Sequence, residues 1–232
     1  MAENSISIVI ISDRIIYRKS QENNFDALSQ EDLQLLYSTL LLNLINNFEQ
    51  RDFNSDFFVF INENDIDDIQ NEIVAFNLSR HEIFTYKIND GFSLVFDKIK
   101  NSRQSIIVYA DVMGFGIASV REFLKLLNSD DNTIVIGTSV NQSICVIGFN
   151  HQTDDLQLAI QNSERNYSKL LSLLKAEDHF IHTINGFIRV NDIESFKELY
   201  NNLSHKKSIE YCSQEMHEKF THLFVEYKDL LK

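Results

Sequence analysis

Apolar residues recur along this chain in two alternating rhythms. Residues 6–11 form an apolar run rich in isoleucine, suited to a central strand covered on both faces. Leu33, Leu36, Tyr37, Leu40, Leu41, Leu44, Ile45 and Phe48 then fall at helical spacing. Ser29 and Asp32 precede them as a capping-box pair, with Asp in place of the usual Glu. Residues 57–61 read as a second buried strand, 65–76 as a surface helix with alternating acids, and 83–87 as a short strand. Asp90 suits the cap of a helix whose core face is Leu94, Val95, Phe96 and Ile99.

The chain is organised around residues 105–148. Ile106, Ile107 and Val108 form a β-branched run of strand length, Asp111 follows directly, and a loop holds Gly114 and Gly116. From Ile117 the apolar residues Val120, Phe123, Leu124 and Leu127 return at helical spacing. A strand pair joined by a turn follows, over 133–136 and 144–149. Beyond it the pattern predicts helices at 154–161 and 167–175, a strand at 180–184, a helix at 192–203 started by Asp192, and a final amphipathic helix or helix pair over 208–231. Strands alternating with helices of this length predict an α/β fold with a mostly parallel central sheet flanked by helices. No repeat or Gly/Pro-rich linker interrupts it. The expectation is therefore one domain over residues 1–203, with a C-terminal helical extension over 204–232 packed on it.

Composition narrows the function. Of 232 residues, 44% are hydrophobic, which is globular rather than disordered. A formal net charge of −13 argues against a broad nucleic-acid or anionic-membrane surface, while leaving room for a phosphorylated ligand bound locally by amides or a metal ion. The longest apolar runs, such as 40–42, are far too short to span a bilayer, and the acidic N-terminus lacks the pattern of a signal peptide. Cys145 and Cys212 form no CxxC pair and no disulfide framework. A soluble, cytoplasmic protein is the expectation.

Asp111, at a strand's carboxyl end before a glycine loop, stands where open α/β sheets bind ligands. It suits a metal or ribose ligand, or equally a carboxylate capping its own loop. Gly114 and Gly116 suit backbone amides facing a phosphate, or plain turn chemistry. Asn141 and Asn191 suit neutral metal ligands or surface turns, and Arg14, Arg18 and Lys19 suit diphosphate binding or a solvated loop. The seven histidines form no ligand cluster: His179 and His182 point to opposite faces of a strand, and His217 and His222 are five apart on a helix. Phe220, Phe224 and Tyr227 of the last helix suit core packing or a homo-oligomer contact.

The order of these features resembles a bacterial family of nucleotide-diphospho-sugar-transferase-like proteins of GT-A fold, related to cofactor guanylyltransferases. The family's Ser-Asp-x-Pro-Gly-Leu segment is matched by Ala110-Asp111-Val112-Met113-Gly114-Phe115. Its later Leu-Gly-Pro-Glu-Asp-Gly-Gly-Tyr-Tyr-Leu-Ile-Gly stretch is matched by the thirteen residues 136–148, with Asn141, Gln142 and Ser143 in place of Asp-Gly-Gly. Residues 28–37, 91–99 and 190–199 resemble further family segments, and in the late one two family acids fall on Arg189 and Asn191. The N-terminal Gly-x-x-Lys-Thr-Arg loop has no clear counterpart, Arg18 and Lys19 lying near it out of register.

The resemblance implies a nucleotide-diphospho-sugar transferase or nucleotidyltransferase. Asp111 would hold Mg²⁺ or Mn²⁺, and a nucleotide diphosphate or nucleotide-sugar would lie over Gly114, Gly116, Asn141, Arg18 and Lys19. With most family acids replaced, the alternative is a non-catalytic homologue that keeps the fold as a binding or assembly module.

Overall fold

β1 (Ile6–Ser12) is buried along nearly its whole length because it lies in the middle of the sheet, hydrogen-bonded in parallel to β2 (Ser55–Asn62) on one side and β4 (Gln104–Tyr109) on the other. The computed structural model describes residues 6–12, 25, 27–49, 55–63, 82–87, 92–175, 178–205 and 211–231. β3 (Glu82–Tyr86) adds in parallel outside β2. On the other side β4 meets β7 (Ile144–Phe149) antiparallel, and β7 forms a hairpin with β6 (Thr133–Ser139). β6 then pairs in parallel with β8 (Phe180–Arg189), and a two-residue strand β5 (Val112–Met113) closes on the end of β8. The eight-stranded order is β3-β2-β1-β4-β7-β6-β8-β5. The parallel half and the antiparallel hairpin agree with the sequence pattern. β5 departs from it: residues read as loop make a short strand because they lie beside the end of β8.

Among the described residues there are seven helices: α1 (Gln30–Glu49), α2 (Ser93–Ile99), α3 (Ile117–Leu127), α4 (Asp154–Asn162), α5 (Tyr167–Leu174), α6 (Ile193–Leu203) and α7 (Gln214–Glu226). The predicted helix at 65–76 and the capping role of Asp90 fall outside the described residues. Leu94, expected on the core face of α2, is 40% exposed, because Val95, Phe96 and Ile99 already turn the buried stripe away from it.

α1 is buried on two sides. Leu41, Leu44, Ile45 and Phe48 face the core against the sheet. Leu33, Leu36, Tyr37, Leu40 and Leu42 face a second core built with α6 and α7, where Phe196, Leu199, Met216, Phe220 and Leu223 are fully buried. The aromatic stripe of α7 is thus packed within the chain, so Phe220 and Phe224 are not on the surface where a homo-oligomer contact would need them. At the start of α1 the Asp32 amide donates to Ser29 Oγ at 3.1 Å, as a capping box requires. The reciprocal bond is rerouted: the Ser29 amide donates to Tyr227 Oη at 3.0 Å, and that hydroxyl bonds Asp32, tying α7 to the entry of α1. Asp192 caps α6 in a complete box with Ser195. Among the described residues no helix is long and apolar enough to cross a membrane.

Candidate functional site

The carboxyl ends of β1 and β4 are tied together where the Ala110 amide donates to the Ile11 carbonyl at 2.9 Å. The next residue is Asp111, 3% exposed, whose carbonyl accepts from the Val190 amide at 2.9 Å at the end of β8. Three chain segments distant in sequence therefore converge on one carboxylate.

What faces that carboxylate is cationic. Arg165 grips it as a fork, Nη2 on Oδ1 at 2.6 Å and Nη1 on Oδ2 at 2.8 Å. Arg189 adds Nε on Oδ2 at 3.3 Å. The two arginine side chains are 8% and 12% exposed, so the cluster is an interior ion-pair triad. Arg165 Nε donates to the Ile144 carbonyl at 3.1 Å, and its guanidinium lies 3.9 Å over the Tyr109 ring. Arg189 Nη1 donates to Ser143 Oγ at 3.3 Å. An isolated buried carboxylate is costly, but a bidentate guanidinium with further satisfied donors offsets much of that cost.

The connection between α4 and α5 aims Arg165 inward. Glu164 and Arg165 both have positive φ, 52° and 62°, a conformation that costs non-glycine residues about 1 kcal/mol or more each. It is held by stitches to the β6–β7 turn. The Ile144 amide donates to the Arg165 carbonyl at 2.7 Å, the Tyr167 amide to the Gln142 carbonyl at 3.1 Å, and Ser143 bridges Asn166. Cys145 lies beside the triad on β7. Burial pushes its thiol up to about 12, outweighing the lowering pull of Arg165, so it stays a protonated, inert side chain.

The structure gathers only some of the residues singled out in the sequence. Asp111 and Arg189 meet, and Ser143 joins them through Arg189. Gly114 has φ +95° and packs near the Tyr211 ring and Phe187, a turn that strains any other residue, whereas Gly116 is the extended residue that opens α3. Asn141 is exposed in the β6–β7 turn, and the Asn191 amide donates to Ser195 Oγ within the start of α6. Arg14, Arg18 and Lys19 lie outside the described residues. Arg165 and Tyr109 were not singled out. An arginine in a polar stretch between two amphipathic helices carries no local mark of burial, because what buries it is the turn conformation and the strand end opposite.

A divalent cation does not fit the carboxylate as it stands: both Asp111 oxygens accept from the Arg165 guanidinium, and Oδ2 accepts from Arg189 as well. Among the described residues no group of three or more His, Cys, Asp or Glu side chains is placed to hold a metal ion.

By sequence, neither a family model nor a curated protein matches this chain. By structure the likeness is extensive. A crystal structure from Desulfovibrio desulfuricans, named for a nucleotide-diphospho-sugar transferase, superposes with a TM-score of 0.70 at 14% identity, covering 98% of this chain and 96% of that one. A cytidylyltransferase from Leptospira borgpetersenii gives a TM-score of 0.56 at 16% identity, over 97% and 96% of the two chains. The 4-diphosphocytidyl-2C-methyl-D-erythritol synthase of Anaerococcus prevotii gives 0.52 at 12% identity, over 88% of this chain and all of that one. The chain has the GT-A-like fold that these nucleotidyl- and sugar-transferase structures share.

Proposed function

We propose that this chain is a GT-A-fold homologue acting as a binding or assembly module, without a metal-dependent transfer step at Asp111. The observation that carries the reading is the charge arrangement. In metal-dependent transfer, carboxylates hold a divalent cation that neutralises the leaving diphosphate. Here Arg165 and Arg189 surround the one matching carboxylate with positive charge supplied by the chain itself. A metal ion would have to displace a bidentate guanidinium and then sit beside two buried cations. The likeness to transferases supports a common architecture, and function resides in the site.

The test is a ligand screen of UDP, GDP, CDP and their sugar conjugates, with and without Mn²⁺ or Mg²⁺, on wild type and Asp111→Asn, each read against its own melting baseline. A ligand at 100 times its Kd stabilises by about 2.7 kcal/mol, or roughly 5–10 °C for a chain of this size. The expected result is no metal-dependent shift with any nucleotide. A metal-dependent shift for one nucleotide in wild type, absent in Asp111→Asn, overturns the reading and restores a transferase site.

A further inference from the structure

The end of the sheet opposite Asp111 carries a polar depression. β4 begins at Gln104 and Asp111 follows soon after its last residue, so the two ends lie about 20 Å apart along the strand. The C-terminal end of α3, the turn over 128–132 and the start of β4 enclose about 480 Å³ there, a small-molecule volume. Its floor is fixed by Asn150. Both amide donors of that side chain are used, on the Leu127 and Asp130 carbonyls at 2.7 Å, and its Oδ1 accepts from the Thr133 amide at 2.7 Å.

Hydrogen bonding orients the buried glutamine in the wall. The Leu124 carbonyl can only accept, so Asn128 presents Nδ2 to it, at 2.8 Å, and turns Oδ1 the other way. That oxygen accepts from Gln104 Nε2 at 2.9 Å. Gln104 lines the depression and is 5% exposed, and its Oε1 accepts from no donor among the described residues. A carbonyl oxygen held that deep calls for an N–H or O–H from whatever enters. The other unused groups are acceptors too. Asp130 and Asp131 line the same depression, and neither carboxylate has a hydrogen bond or ion pair among the described residues. The C-terminal end of α3 adds partial negative charge.

We propose that this depression binds a small organic monocation through a primary ammonium group, with Gln104 Oε1 accepting an N–H and Asp130 and Asp131 supplying the counter-charge. Charge selects the class of ligand. With His151 uncharged, two carboxylates and the Arg103 guanidinium leave the lining one negative charge in excess, which a monocation balances. A divalent cation would instead leave surplus positive charge beside Arg103. The glutamine selects the group, since a quaternary ammonium has the same charge but no N–H to offer. The inference is independent of the chemistry at Asp111.

Titration of the isotope-labelled full chain with ethylammonium from about 0.1 to 20 mM at pH 8, where an ordinary imidazole is neutral, tests it by amide chemical shifts. The expected result is saturable shifts, with a Kd in the millimolar range, at the Gln104 side-chain amide and over residues 128–132. Gln104→Met identifies that side-chain signal and should abolish saturation. Asp130→Asn combined with Asp131→Asn alters two exposed residues, so it should leave the melting temperature unchanged while raising Kd at least about tenfold. Tetramethylammonium and Mg²⁺, at matched ionic strength, should give no saturable shift at these residues. The proposal is overturned by a failure of ethylammonium to saturate, by an equal response to tetramethylammonium, by saturation that survives the double variant, or by Mg²⁺ occupying the depression instead.

Discussion

Replacing Asp111 by Asn keeps the shape of the side chain and removes its charge, and the structure sets the cost. The carboxylate accepts three charge-assisted hydrogen bonds, two from Arg165 and one from Arg189. An asparagine offers one acceptor oxygen and turns an amide donor toward a guanidinium that has only donors to present. Two cations then remain in surroundings that leave them 8% and 12% exposed. Losing one partner of a buried ion pair costs about 3–5 kcal/mol, because the uncompensated charge persists. At roughly 2–4 °C per kcal/mol, the melting temperature should fall by about 6–20 °C. Urea unfolding followed by circular dichroism measures the loss directly. A companion triple variant, Asp111→Leu with Arg165→Met and Arg189→Met, removes all three charges and should recover at least half of it, since an apolar replacement of a buried pair is often neutral. Carboxylates assembled to hold a ligand behave oppositely: neutralising one leaves the empty protein unchanged or more stable. Asp111→Asn within about 1 kcal/mol of wild type would therefore refute the structural reading of the triad.

Other expectations follow from single contacts. Burial pushes the Cys145 thiol up to about 12 and Cys212 to about 11, so both should resist a thiol reagent at pH 8 in the folded protein and react fully once it is unfolded. The unfolded chain releases the Cys145 proton near pH 9 and the folded chain only near 12. The stability this gives is complete below pH 9 and declines on the order of 1 kcal/mol per pH unit above it, and Cys145→Ala should flatten that decline in pH-dependent urea melts. Gly148→Ala would place a Cβ 2.9 Å from Phe123 Cδ1 and 3.2 Å from Leu127 Cδ1, so overpacking should cost about 1–3 kcal/mol in the same assay. An unchanged midpoint would mean that α3 yields freely at that point.

The strands and helices were legible because their signals are local. Leu33 to Phe48 repeat at helical spacing whatever the helix packs against, and α1 forms where that repeat lies. The run at 6–11, apolar but for Ser7, announced a strand covered on both faces, and β1 is one. β5 was not legible, since two residues become a strand only when β8 arrives beside them. Nor was the double burial of α1, because a leucine at helical spacing does not say which of two cores it enters.

The site divides in the same way. Asp111 stood out in the sequence as an acid between a strand and a glycine loop, and Arg189 as a position that the family resemblance would give to an acid. What each does was decided by tertiary structure. The turn at Glu164 and Arg165, folded into positive φ and stitched to the β6–β7 hairpin, delivers a guanidinium across 54 residues of sequence to the Asp111 carboxylate. The chain by itself determined its elements, its charge and the acid at the strand end, because propensity and periodicity act over a few residues. Which charge faces that acid depended on where distant segments meet, and close packing of the sheet ends set it at hydrogen-bond distance.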